Sequence, residues 1–224
     1  MAVGAGSVWN NGKAYFFYKT QYKQFDLATM KVDPCYPKAI EGHWPGVFTD
    51  GISAVAVWPN GNAYFFKGNQ YIRYDIAAGK AADGYPKLIS QGWPGVFPDG
   101  VDAVGVWSKT TAYFFKGNQY TRYNIPADKA DPGYPKPTSG NWPGLTFTDH
   151  IDSILVQSNG KAFFFKGTDY TQYDTAGDKA DPGYPKAVIG NWVGLIPASL
   201  SSTCTDAATS DLFAGTGENL LFAT

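Results

Sequence analysis

Cysteine, histidine and methionine are scarce, with two of each in 224 residues. Cys35 and Cys204 allow at most one internal disulfide, which excludes a cysteine-stapled scaffold. A Cys35–Cys204 bridge would tie the C-terminal tail to the first part of the chain, and it requires a separation that spacing does not give. His43 and His150 stand in no His-Glu-x-x-His or comparable metal spacing. No serine lies in a Gly-x-Ser-x-Gly setting, and Gly215-Thr216-Gly217 lacks the lysine of a phosphate loop, so no enzyme activity is expected. An excess of either charge is missing as well. The 18 basic and 19 acidic side chains give a net charge of -1, so no global field draws nucleic acid or an anionic membrane. No apolar run approaches the roughly 20 residues of a membrane-spanning helix. Met1-Ala2-Val3-Gly4 has neither a basic start nor an apolar segment, so no secretory signal is visible. Either the protein stays inside the cell or its numbering begins after a signal has been removed.

What is abundant is aromatic: 17% of the residues, within a chain that is 44% hydrophobic. That is enough to bury one substantial core without division into several domains. The aromatics recur in a fixed string, Ala63-Tyr64-Phe65-Phe66-Lys67-Gly68-Asn69-Gln70-Tyr71-Ile72-Arg73-Tyr74-Asp75. It returns nearly unchanged at Ala112 to Asn124 and more loosely at Ala14 to Asp26 and Ala162 to Asp174. Tyr15 to Tyr64 and Tyr64 to Tyr113 are each 49 residues, and Tyr113 to Phe163 is 50. A constant period of this length marks an array of one supersecondary unit. A second signature keeps the same register: Gly84-Tyr85-Pro86-Lys87 followed by Trp93-Pro94-Gly95, with equivalents at Cys35 and Trp44, Gly133 and Trp142, and Gly183 and Trp192.

Within the second repeat, Ser53 to Trp58 is rich in β-forming residues, and Pro59-Asn60-Gly61-Asn62 is turn chemistry. Ala63 to Phe66 forms a second strand, Lys67-Gly68-Asn69 turns again, and Tyr71 to Asp75 is a third. A short fourth element completes the unit before Trp93. Such a meander alone would leave a face of aromatics wet, and the absence of a 3.6-residue period argues against a helical solenoid. Four sheets arranged radially bury those faces against one another, which predicts an all-β, four-bladed propeller of about 49 residues per blade.

The Tyr-Phe-Phe-Lys-Gly-x-x-Tyr-x-Arg-Tyr string, combined with Gly-Tyr-Pro-Lys and Trp-Pro-Gly, resembles the hemopexin-like domain across Val3 to Gly194. The resemblance implies a four-bladed propeller at residues 1–196, with blades at about 3–50, 51–99, 100–149 and 150–196. The tail at 197–224 departs from the pattern. It is left open whether it lies beside the ring, begins a partial fifth unit or is partly disordered. The resemblance further implies a central tunnel in which backbone carbonyls hold a calcium or sodium ion. Matched residue by residue, these are Gly4, Ser53, Asp102 and Asp152, with an inner layer at Gly6, Val55, Val104 and Ile154. Main-chain oxygens suit a hard cation whatever the side chain. Because the family's namesake holds haem iron between two histidines, His43 and His150 are the haem candidates, and axial ligation would need an apolar slot between them. Some plant relatives of the fold bind haem or polyamines, so a carrier is the alternative reading, with a storage protein as the third.

The likeness of the copies carries its own expectation. A propeller that needs only its core can let its turns drift, yet repeats 2 and 3 match through Asn69, Gln70, Asn118 and Gln119 and through Lys67 and Lys116. Repeated weak sites add up to avidity. Amide and lysine donors beside aromatic rings suit sugar hydroxyls and apolar sugar faces. The Lys67 to Gln70 turns and the Trp-Pro-Gly linkers are expected on one face of the ring, with Trp44, Trp93, Trp142 and Trp192 lying between blades. The expected function is glycan recognition of the lectin kind, without nucleic acid or membrane partners and with a homodimer as one assembly.

Overall fold

The computed structural model of the chain describes residues 3–196. The tail, with Cys204, lies outside the described residues; Cys35 is not a free thiol. Four antiparallel sheets follow in sequence. Their inner strands are Ala5–Val8, Ala54–Val57, Ala103–Val106 and Ser153–Val156. The middle strands are Lys13–Tyr18, Asn62–Lys67, Thr111–Lys116 and Lys161–Lys166, and the outer ones Gln21–Asp26, Gln70–Asp75, Gln119–Asn124 and Asp169–Asp174. The expected fourth element is two short ladders on the same edge. In the second sheet Lys80–Ala81 pairs with one end of the outer strand and Lys87–Leu88 with the other. Pro86 lies just before the second ladder and has no amide hydrogen to give to a continuous one.

The inner strands touch in a closed cycle, first to second to third to fourth and back to first, which makes the wheel. Each sheet is therefore covered on both faces, and this explains the unbroken apolar run in the middle strands. Side chains alternate across a strand. Ala63 and Phe65 thus enter the core shared with the first sheet, while Phe66 and the partly buried Tyr64 enter the core shared with the third. The other middle strands divide their aromatics the same way.

A tryptophan wedges each interface. Trp93 meets Trp58, Tyr64, Phe66 and Tyr71 of its own sheet and Phe114 and Tyr123 of the next. Trp44, Trp142 and Trp192 do the same at the other three. The residue after each tryptophan bonds the outer edge of the next sheet: the carbonyls of Pro45, Pro94 and Pro143 accept from Ala81, Ala130 and Ala180 at 2.8–2.9 Å. The glycine that follows is required twice over. Gly95 has φ 82°, and a Cβ there would lie 2.6 Å from that of Ala130. At the ring closure Val193 replaces proline, and its N–H donates to the Met30 carbonyl at 3.3 Å while its own carbonyl accepts from Val32 at 2.9 Å.

Candidate ligand sites

Antiparallel meanders bring three things to one end of the wheel: the start of each inner strand, the turn between middle and outer strands, and the end of the incoming linker. At the third sheet this collects Phe97, Asp99, Asp102, Lys116, Gln119 and His150 around a cleft of about 340 Å³. Four of these, Asp102, Lys116, Gln119 and His150, are sequence candidates that stood in unrelated roles. Lys116 and Gln119 are cross-strand partners flanking the turn. The Lys116 ammonium pairs with Asp99 at 2.8 Å, and that contact holds the Asp99 carboxyl below its usual range.

The arrangement repeats. Lys67 pairs with Asp50 and lies 5.9 Å from the Phe48 ring centroid, with Gln70 opposite it in the ladder. Lys166 pairs with Asp149 and also donates to its main-chain carbonyl at 2.7 Å. Both carboxyls are depressed by their lysines. In the first sheet Tyr18 stands at the lysine position, so the set exists three times among the described residues. Asn69 and Asn118 hold the outgoing linkers through main-chain carbonyls, accepting from Ile89 and Thr138 at 2.9 and 2.8 Å, and both residues are exposed.

One expectation needs correcting. The tryptophans lie between blades as expected, but the Trp-Pro-Gly linkers do not emerge beside these turns, because the Pro45, Pro94 and Pro143 carbonyls bond Ala81, Ala130 and Ala180 at the other end of the next outer strand; the ring at the Lys67 site is the linker phenylalanine Phe48, and at the Lys116 cleft it is Phe97. The acidic partners Asp50, Asp99 and Asp149 were not singled out from sequence either. Their signal was present in the periodic Phe48-Thr49-Asp50-Gly51, Phe97-Pro98-Asp99-Gly100 and Phe147-Thr148-Asp149-His150. Gly100 packs closely here: a Cβ would sit 3.1 Å from the Gly68 carbonyl oxygen and 3.4 Å from the Lys116 ammonium. His150 takes the equivalent place in the next linker, also at positive φ, and its N–H donates to the Gly117 carbonyl at 2.8 Å.

Gly4, Ser53, Asp102 and Asp152 each immediately precede an inner strand, one per sheet at the same end of the axis. The carboxylates of Asp102 and Asp152 are spent on the neighbouring turns, accepting from the N–H groups of Gly117 and Gly167 at 2.7 and 2.6 Å. Gly6, Val55, Val104 and Ile154 sit two residues further in and are buried. The histidines lie in the linkers that follow the first and third sheets, which do not adjoin in the cycle. His43 rests against the Tyr22 ring at 5.9 Å, and His150 is 74% exposed with Nδ1 3.7 Å from Asp102. No group of three or more His, Cys, Asp or Glu side chains placed to hold a metal occurs among the described residues, and no helix there is long and apolar enough to cross a membrane.

No curated protein matches the chain in sequence. Among solved structures, a plant lectin with two metal binding sites from Cicer arietinum superposes with a TM-score of 0.73 at 25% identity, over 84% of this chain and 94% of that one. A plant albumin from Cicer arietinum showing hemagglutination gives 0.74 at 25% identity over the same shares. A seed albumin from Lathyrus sativus gives 0.71 at 22% identity, over 84% of this chain and 93% of that one. The family profile described as Hemopexin matches residues 52–96, 101–146 and 151–196, which are the second, third and fourth sheets with their linkers. Those stretches make up more than half of the sequence, and the first sheet repeats their architecture strand for strand: the chain belongs to the hemopexin family.

Proposed function

We propose that this protein is a non-enzymatic, lectin-like recognition protein that engages glycans through the repeated rim sites at Lys67, Lys116 and Lys166. The observation that carries this reading is the threefold recurrence, at one end of the wheel, of a lysine held by a linker aspartate. A core needs no such set, since each aspartate is at least half exposed and ion pairs open to solvent contribute little to stability. Each set offers ammonium donors and carboxylate acceptors, with Gln70 or Gln119 adding an amide at two of them and a phenylalanine nearby, the mixture that hydroxyls on an apolar ring require. Three weak sites on one rigid body convert modest affinity into avidity. The names of the solved neighbours, a lectin and an albumin showing hemagglutination, support the same reading.

A glycan array together with red-cell agglutination tests it. Wild type should score on both, and a Lys67→Met, Lys116→Met, Lys166→Met variant that still unfolds cooperatively should lose agglutination. Inactivity of the wild type on both would end the lectin reading and favour a reserve role, which the seed albumin neighbour supports. The four positions Gly4, Ser53, Asp102 and Asp152 are also suited to hold a calcium or sodium ion through main-chain oxygens, because they offer one equivalent carbonyl per sheet around the axis. Equilibrium dialysis with calcium should then find one bound ion, and a chelator should lower Tm.

A further inference from the structure

A larger cleft, of about 560 Å³, lies between the second and third sheets. It opens at the end of the wheel opposite the rim sites. Its walls include the Pro59-Asn60 turn, which joins inner to middle strand, and the Ile125 to Asp128 turn that follows the outer strand of the third sheet. The volume falls within the roughly 300–1,000 Å³ of small-molecule sites. Trp58, Tyr64, Tyr71, Tyr85 and Trp93 supply ring surface, while Asn60 and Asp128 stand exposed at its edge.

The four interfaces differ at two positions that line this cleft, Gly92 and Asp128. The place of Gly92 is taken by His43, Asn141 and Asn191 in the other linkers. Asn141 and Asn191 are exposed and turn their amides back onto the Pro137 and Ala187 carbonyls, each at 2.9 Å. At Gly92 there is no side chain, and a Cβ would collide with the Tyr71 hydroxyl, so that hydroxyl occupies the vacated space. The place of Asp128 is taken by Met30, Gly79 and Asp178. Only the second interface, among the described residues, joins a missing linker side chain to a carboxylate across the gap.

The chemistry of the lining selects among ligands. No lysine or arginine lines the cleft, so an anionic group finds no partner there. Asp128 takes the Tyr123 hydroxyl on Oδ1 at 2.8 Å, and its Oδ2 accepts no hydrogen bond among the described residues. Asn60 donates to the Tyr64 hydroxyl at 3.0 Å, which leaves that phenol its own hydrogen to donate. Phenols, an amide and a carboxylate set between ring faces match a ligand with hydroxyls around its edge and C–H bonds on its faces. We infer that the cleft between the second and third sheets is a single-copy pyranose site, distinct from the rim sites, and the seat of the protein's highest monovalent sugar affinity. This rests on the glycan reading of the protein.

Ligand-observed NMR with methyl α-mannoside, N-acetylglucosamine and lactose would find the strongest binder, and calorimetry with that sugar would then compare variants. Gly92→Asn installs the residue of the third and fourth linkers, and Asp128→Asn removes the carboxylate with little change of shape. Each should weaken binding roughly tenfold or more. Asp178→Asn, at the same point of the next interface where Asn141 stands in place of Gly92, should leave affinity unchanged. If Gly92→Asn folds poorly, Asp128→Asn still carries the test. Sugar binding that survives both cleft variants but is lost in the triple rim variant would overturn this inference and leave the glycan reading standing. Sugar binding by no form of the protein would overturn both. Binding of tetramethylammonium in place of every sugar, abolished by Asp128→Asn, would also overturn it and reassign the cleft to organic cations.

Discussion

The interface between the second and third sheets and the one between the fourth and first use the same wedge but are secured differently. Trp93 and Trp192 are both buried among aromatic rings of two sheets, and the next residue's carbonyl accepts from the outer edge of the following sheet in both cases. Between the second and third sheets the chain itself is the tether, running from Lys87–Leu88 through Trp93 to Ala103. No described segment links the fourth sheet onward to the first, and there the contacts are denser. Val193 exchanges hydrogen bonds with Met30 and Val32, and the Lys23 ammonium donates to the Gly194 and Leu195 carbonyls at 2.8 and 2.9 Å. Burial holds the Lys23 pKa below its ordinary value. At the equivalent place of the third sheet stands Thr121, fully buried, whose hydroxyl has no hydrogen-bond partner among the described residues. A tethered interface needs no such latch, because chain connectivity keeps its partners at high local concentration.

That contrast can be broken most forcefully at the wedges. Trp93→Ala and Trp192→Ala should each cost about 3–5 kcal/mol in urea unfolding, since each removes a ring buried against two sheets. A loss below about 1 kcal/mol at either would show that the tryptophan does not wedge its interface. Next in size, Lys23→Met should cost about 1–3 kcal/mol by leaving two partly buried carbonyls without their donor, while Thr121→Val at the equivalent place, where the buried hydroxyl has no partner to lose, should stay within about 0.5 kcal/mol.

A third comparison sets the second sheet against the third. Tyr123 and Tyr173 donate to Asp128 and Asp178 at 2.8 and 2.9 Å, but Tyr74, fully buried, has no partner for its hydroxyl because Gly79 stands in the aspartate's place. Asp128 and Asp178 adopt φ 51° and 48° there, so the backbone at Gly79, φ 68°, admits an aspartate. Gly79→Asp should therefore raise stability by about 0.5–1.5 kcal/mol, and thermal unfolding that shows no gain would mean the hydroxyl is satisfied by water.

The smallest effect concerns the rim. Asp50, Asp99 and Asp149 have folded pKa values below the usual carboxylate range, each through its lysine. A depressed folded pKa contributes stability above the unfolded value of about 3.9, and that contribution is lost as pH falls through the folded values. The triple lysine-to-methionine variant should thus melt slightly below wild type at neutral pH and converge with it under acid conditions, where salt should matter little. A gap in Tm that widened on acidification would contradict the pairing.

The strands and the wheel were legible because both depend on short-range pattern. Tyr64-Phe65-Phe66 reads as a strand buried on both faces, and its return at a fixed period leaves a closed ring as the economical way to cover it. The rim sites were half legible. Lys67, Lys116, Gln70 and Gln119 stood out by repetition, whereas Asp99 did not, since it precedes Lys116 by a whole inner strand and hairpin and belongs to a linker. Tryptophan burial was foreseen, but its consequence for the rim was not, because a ring drawn into a core cannot also line a turn.

What the amino-acid order determined unaided is the repeated unit: where each strand starts and turns, and that its aromatics demand cover on both sides, as these follow from backbone preference and side-chain alternation. Only the closed tertiary arrangement decided which unlike groups meet across a boundary: Lys116 with Asp99, Lys23 with the Gly194 carbonyl, and Gly92, with the Tyr71 hydroxyl against it, in one cleft with Asp128. Such meetings join residues of different sheets, and their geometry exists only once hydrophobic burial has set the sheets side by side.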